Sequence, residues 1–121
     1  LLKAWNYRKT RLEALFTIVN TYRKNGAYQR AFAYGMLAFG IEKPEDLLFV
    51  HKAIHDYRFI DEVAIAAYWC GHYHIAKNLG EKILREKRFA AKDEARLRKN
   101  LQYSLDKLAQ LEKAKKEIIS V

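Results

Sequence analysis

Apolar positions recur along this chain in two matching runs. The first is Leu15, Ile18, Tyr22, Gly26, Tyr28, Ala31, Gly35 and Ala38. The second is Ile60, Val63, Ala67, Gly71, Tyr73, Ala76, Gly80 and Ile83, each 45 positions after its counterpart. Steps of three and four are the period of a helix with one apolar face. A glycine in mid-run suits the left-handed residue that ends a helix, so each run predicts a helical hairpin. Repetition at a fixed period predicts a repeat architecture.

The first hairpin reads as follows. Thr10-Arg11-Leu12-Glu13 fits a capping box, with Leu12, Leu15, Phe16, Val19 and Tyr22 following at helical spacing. Asn25-Gly26 ends that helix, and a second runs from Ala27 to about Phe39. Its small residues Ala31, Gly35 and Ala38 let antiparallel helices approach closely. Gly40 and Pro44 close the unit. Leu47 to Ile54 fits either a short helix or an extended buried connector.

The second hairpin pairs a helix over Tyr57 to Cys70 with one over Tyr73 to about Glu86, broken at Gly71. Lys92 to about Ile118 then reads as one long amphipathic helix with a stripe of Leu97, Leu101, Leu105, Leu108 and Leu111. Such a stripe is most simply a cap over the open end of a repeat stack. The expected organisation is a single all-α, tetratricopeptide-like domain over 1–121. It comprises repeat one about 10–40, a connector 41–56, repeat two about 57–88 and a capping helix about 92–118. The period exceeds the roughly 34 residues of a standard tetratricopeptide repeat, and the excess falls in the connector.

Composition agrees with a folded helical chain: 121 residues, half of them hydrophobic, with one Pro and five Gly. No apolar run approaches the roughly 18 to 20 residues that span a bilayer. The start, Leu1-Leu2-Lys3, lacks both a signal-peptide pattern and an initiator Met, and reads as part of something longer. The single Cys70 excludes an intrachain disulfide and fits a reducing, cytoplasmic location.

Net charge is +9. Between Lys82 and Lys99, eight basic residues face three acidic ones. A solvated helix face accounts for such a run; an anionic partner such as nucleic acid is the functional reading.

Four histidines and Cys70 raise the question of a metal. His51 and His55 lie four apart; Cys70, His72 and His74 alternate around Gly71. Zinc needs three or four converging ligands, and neither Cys-x-x-Cys nor His-Glu-x-x-His is present. His72 and His74 are therefore read as surface turn residues and Cys70 as a packed small hydrophobe. No metal and no cofactor are expected. Asp56, Asp61 and Glu62 gather where a helix begins, which the helix dipole favours, and a pairing with Arg58 is expected. No nucleophile or Gly-rich phosphate loop lies near them, so no catalytic constellation is visible.

Sixteen aromatic residues interleave with Arg and Lys, among them Trp5, Tyr7, Tyr28, Tyr34, Tyr68 and Trp69. In helical hairpins such residues are core, with tyrosine hydroxyls at the rim. The mixture can also stack bases or sugars. Trp69, beside the turn, is the aromatic most suited to face a ligand.

Several segments together resemble a known arrangement. Thr10-Arg-Leu-Glu-Ala-Leu, Tyr22-Arg-Lys-Asn-Gly-Ala-Tyr-Gln, Leu48-Phe-Val, Asp56-Tyr-Arg-Phe-Ile-Asp-Glu and Ala66-Ala-Tyr-Trp-Cys-Gly-His-Tyr look like the tetratricopeptide-like C-terminal region of family 2 glycosyltransferases. The resemblance covers roughly residues 2–108 and is most specific from Asp56 to Tyr73. It implies a non-catalytic portion downstream of a nucleotide-sugar domain. The family usually carries acidic residues and a Tyr where this chain has His51, Ala53 and His55, and none of its catalytic residues maps here.

The expected function is a scaffold or binding module. Its concave face, lined by the first helix of each hairpin, would hold the upstream catalytic domain or a protein or acceptor partner. Helical position nominates Asn20, Arg23, Tyr57, Asp61, Tyr68 and Trp69 as its contacts. The alternative is a free-standing basic adaptor that binds nucleic acid or another acidic partner through Lys82 to Lys99.

Overall fold

The computed structural model describes residues 2–41 and 57–119, with side chains over 13–38 and 57–119. Among them are five α-helices and no strand. These are α1 (Leu2–Lys24), α2 (Tyr28–Ile41), α3 (Arg58–Trp69), α4 (Tyr73–Glu86) and α5 (Glu94–Ile119), with a 3-10 turn over Ala91–Asp93 before the last. The all-α expectation holds. The side chains of Trp5 and Tyr7, and the whole connector with Leu47 to Ile54, His51, His55 and Asp56, lie outside the described residues.

The two hairpin turns are built by the same bonds. Gly26 has φ +77° and Gly71 φ +84°, which only glycine adopts without strain. The Gly26 amide donates to the Arg23 carbonyl at 3.1 Å and the Ala27 amide to Tyr22 at 2.9 Å. Forty-five positions on, the Gly71 amide donates to Tyr68 at 3.0 Å and the His72 amide to Ala67 at 2.8 Å. Both turns thus satisfy the last carbonyls of the preceding helix in the same way.

Consecutive helices pack against each other, and the first helices also touch across the hairpins, α1 on α3 and α3 on α5. Close approach is what the small residues provide. Ala31, Ala38, Ala66 and Ala67 are buried, and Val19 and Val63 pack with Ala31 and Ala66, with Tyr22, Phe32 and Phe59 around the edge. Gly35 is compelled: a Cβ there would lie 2.5 Å from Val63 Cγ2. A second cluster of Tyr57, Ile60, Ile83 and Leu97 holds α3, α4 and α5 together, and Leu79 borders both. Each such aliphatic side chain removed from water contributes about 1.5–3 kcal/mol.

Two local expectations are corrected. Helix α1 begins at Leu2, so Thr10 lies inside it and does not cap it. The sequence Thr-x-x-Glu permits a cap but does not forbid the helix from continuing upstream. On α5, Leu97 is buried and Leu101, Leu105 and Leu108 are half-buried, but Leu111 is 55% exposed. The leucine stripe therefore covers α4 only along the first half of the helix.

Candidate binding surface

The acidic pair at the start of α3 is where the hairpins and α5 are joined. Glu62 accepts from Arg23 Nε at 2.6 Å and Nη2 at 2.8 Å, and from Asn20 Nδ2 at 3.2 Å. This two-pronged geometry is the strong form of a guanidinium–carboxylate contact. Asp61 meets Arg96 Nη2 of α5 at 2.9 Å. Neither Asp61 nor Glu62 takes the expected partner Arg58: their partners come from α5 and α1. A helix residue shares a face with others three and four away, but buried carboxylates take whichever cation the neighbouring helix brings into their own low-dielectric surroundings.

Tyr57 completes this link. Its ring packs edge-on against Phe89 and its hydroxyl donates to Asp93, which also lies 3.8 Å from Arg96. The Tyr57 hydrogen bond, with nearby Arg96, Lys92 and Arg58, lowers the Asp93 carboxyl below its ordinary value. Asp61 shifts the other way: burial raises it, against the opposing pull of Arg96. Glu62 raises Arg23 by hydrogen bonding, and Asp61 does the same to Arg96. Every buried polar side-chain atom among the described residues has a hydrogen-bond partner.

Four of the six nominated contact residues, Asn20, Arg23, Tyr57 and Asp61, thus engage other parts of the chain. Tyr68 and Trp69 are differently placed. Trp69 is 62% exposed yet held, stacked on Tyr28 at 5.6 Å and edge-on to Tyr68 at 5.3 Å. Tyr68 continues to Tyr73 at 5.4 Å and to Tyr103 of α5 at 6.3 Å. An aromatic band therefore crosses α2, α3, α4 and α5 at the turn end of the hairpins. Beside it, His72 stacks on Phe32 at 4.5 Å, and Lys99 lies over the Tyr103 ring at 5.8 Å. Tyr103 escaped sequence reasoning because α5 has no counterpart in the repeated runs to mark which face it turns inward.

Below Tyr68, Trp69 and Tyr103 lies a mostly apolar cavity of about 110 Å³ between α3, α4 and α5. Asp61, Asn100 and Ser104 supply its polar edge.

The basic stretch is more sharply divided than its sequence suggests. Glu86 binds Lys82 at 2.7 Å, Glu94 binds Arg98 at 3.1 Å, and Asp93 is held by Tyr57 and Arg96. Its three acidic residues are thus engaged. Arg85, Lys87, Arg88 and Lys92, all exposed, carry no ion pair among the described residues. Lys87 adopts φ 55° in ending α4.

Among the described residues, no three His, Cys, Asp or Glu side chains are grouped to hold a metal. Cys70 is half-buried, and burial raises its thiol pKa. No described helix is long and apolar enough to cross a membrane. No family model, no curated protein and no solved structure matches the chain.

Proposed function

We propose that this chain is a non-catalytic, tetratricopeptide-like binding module, the C-terminal part of a family 2 glycosyltransferase working in the cytoplasm. It packs on the catalytic domain or holds a protein or acceptor partner. One observation carries the reading: Trp69 is clamped by Tyr28 and Tyr68 while most of its surface faces solvent. A rigid, exposed aromatic of this kind contributes large contact area at small entropic cost, the usual property of a binding anchor. The matching hydrogen bonds of the turns at Gly26 and Gly71 support the repeat half of the reading.

The experiment has two stages. The parent reading frame upstream of Leu1 should encode an α/β domain with an Asp-x-Asp motif; a start codon at Leu1 would refute the glycosyltransferase assignment. Calorimetry should then show that the paired substitutions Tyr68→Ala and Trp69→Ala weaken binding to that domain or its acceptor. Unchanged affinity would place the contact elsewhere.

A second reading rests on Arg85, Lys87, Arg88 and Lys92. Four exposed cations beside fully engaged carboxylates suit the phosphate backbone of a nucleic acid. Fluorescence anisotropy with a single-stranded oligonucleotide should show affinity falling steeply with salt. No binding at low salt would eliminate it.

A further inference from the structure

The cavity beneath the aromatic band is walled in part by small residues. Gly35 and Gly80 occupy equivalent places in the two hairpins, each on the second helix where it meets the next element. At Gly35 the space is full, since a Cβ would strike Val63. At Gly80 a Cβ would stand 3.5 Å from Leu101 Cδ1, ordinary contact. Close packing requires the first glycine and not the second. Gly80 lines the open volume together with Ala76, one turn away on α4, and Ala64 on α3.

That volume is chemically suited to a small hydrocarbon. Its lining is chiefly apolar; Asn100, Ser104 and Asp61, which is bound to Arg96, form its polar edge. An enclosed apolar cavity of about 150 Å³ takes up benzene, and this pocket, open at its lip, has about 110 Å³. It is far smaller than a drug-sized pocket, which limits the ligand to a fragment. The lip is formed by Trp69 and Tyr103, both exposed, so the site is reachable from solvent.

We propose that this cavity is a binding site for a free, uncharged apolar compound of ring size, about six carbon atoms. It lies beside Trp69, which lines its lip, and does not depend on any partner.

Benzene is the probe. Added to the isotope-labelled chain, it should shift amide resonances around Ala64, Gly80 and Leu101. The substitution Ala64→Leu fills the volume from α3 and should weaken benzene by about tenfold or more. Gly80→Ala, which the geometry accommodates, removes one methyl's worth of space and should weaken it less. Three results would each overturn the proposal: no shifts up to the solubility of benzene, shifts confined to another region, or equal benzene affinity in folded Ala64→Leu. Melting curves establish that the variants are folded, and Gly80→Ala provides a readout if Ala64→Leu is not.

Discussion

Arg23 of α1 grips Glu62 of α3 through two hydrogen bonds, at 2.6 and 2.8 Å, and so ties the first hairpin to the second. The Glu62 side chain is 12% exposed, so its charge is held largely out of water. A buried pair of this kind is a modest source of net stability while intact and a large liability once one partner is gone.

Arg23→Ala should therefore destabilise the chain by about 2–3 kcal/mol, while Glu62→Gln, which keeps the shape and part of the hydrogen bonding, should cost less. Urea unfolding of the two single variants and the double variant gives the coupling directly. Additive effects would mean that the pair does not join the hairpins energetically.

The two helix glycines should answer differently to the same substitution. Gly35→Ala drives a methyl into Val63 and should cost about 1–3 kcal/mol. Gly80→Ala meets no such obstacle and should be neutral or stabilise by up to about 1 kcal/mol through helix propensity. Thermal melts compare them.

The turn glycines should answer alike. Gly26→Ala and Gly71→Ala each force a Cβ into left-handed backbone with nothing else in the way. Each should cost about 1–2 kcal/mol. A large disparity in their denaturation midpoints would show that the two turns bear different loads.

Asp61 and Asp93 make opposite contributions to stability as pH changes. Asp61 has its folded pKa raised, chiefly by burial, so its contribution is greatest below its ordinary value of 3.8 and is lost as pH rises through the folded value. Asp93 has its folded pKa lowered, chiefly by the Tyr57 hydroxyl, so its contribution is present above 3.8 and is lost as pH falls through the folded value. Asp61→Asn should consequently gain on the wild type as pH rises from 3.8 through Asp61's folded pKa, while Asp93→Asn should lose ground as pH rises through the acid range. Denaturant titrations at stepped pH read both signs.

Local signals in the sequence carried far. Gly26 and Gly71 mark their turns because a left-handed residue at a helix end selects glycine by itself, and the predicted limits of α4, Tyr73 to Glu86, coincide with the observed ones. Trp69 stood out for its place beside a turn, and it is exposed. What stayed hidden is tertiary. Nothing near Asp61 or Glu62 in sequence announces Arg96 or Arg23, because helices from elsewhere bring those cations in. Tyr28 and Tyr103 flank Trp69 and Tyr68 only once four helices have come together.

Helix α5 runs on past the body that holds it. Leu97 and Ser104 are buried, whereas every residue from Ala109 to Ile119 is exposed. The backbone amides of this outer stretch should exchange with solvent deuterium at rates close to those of a lone fraying helix. Those near Leu97 and Ser104 can exchange only when α4 and α5 part. One continuous helix thus spans two regimes of local opening, with the boundary near Leu108.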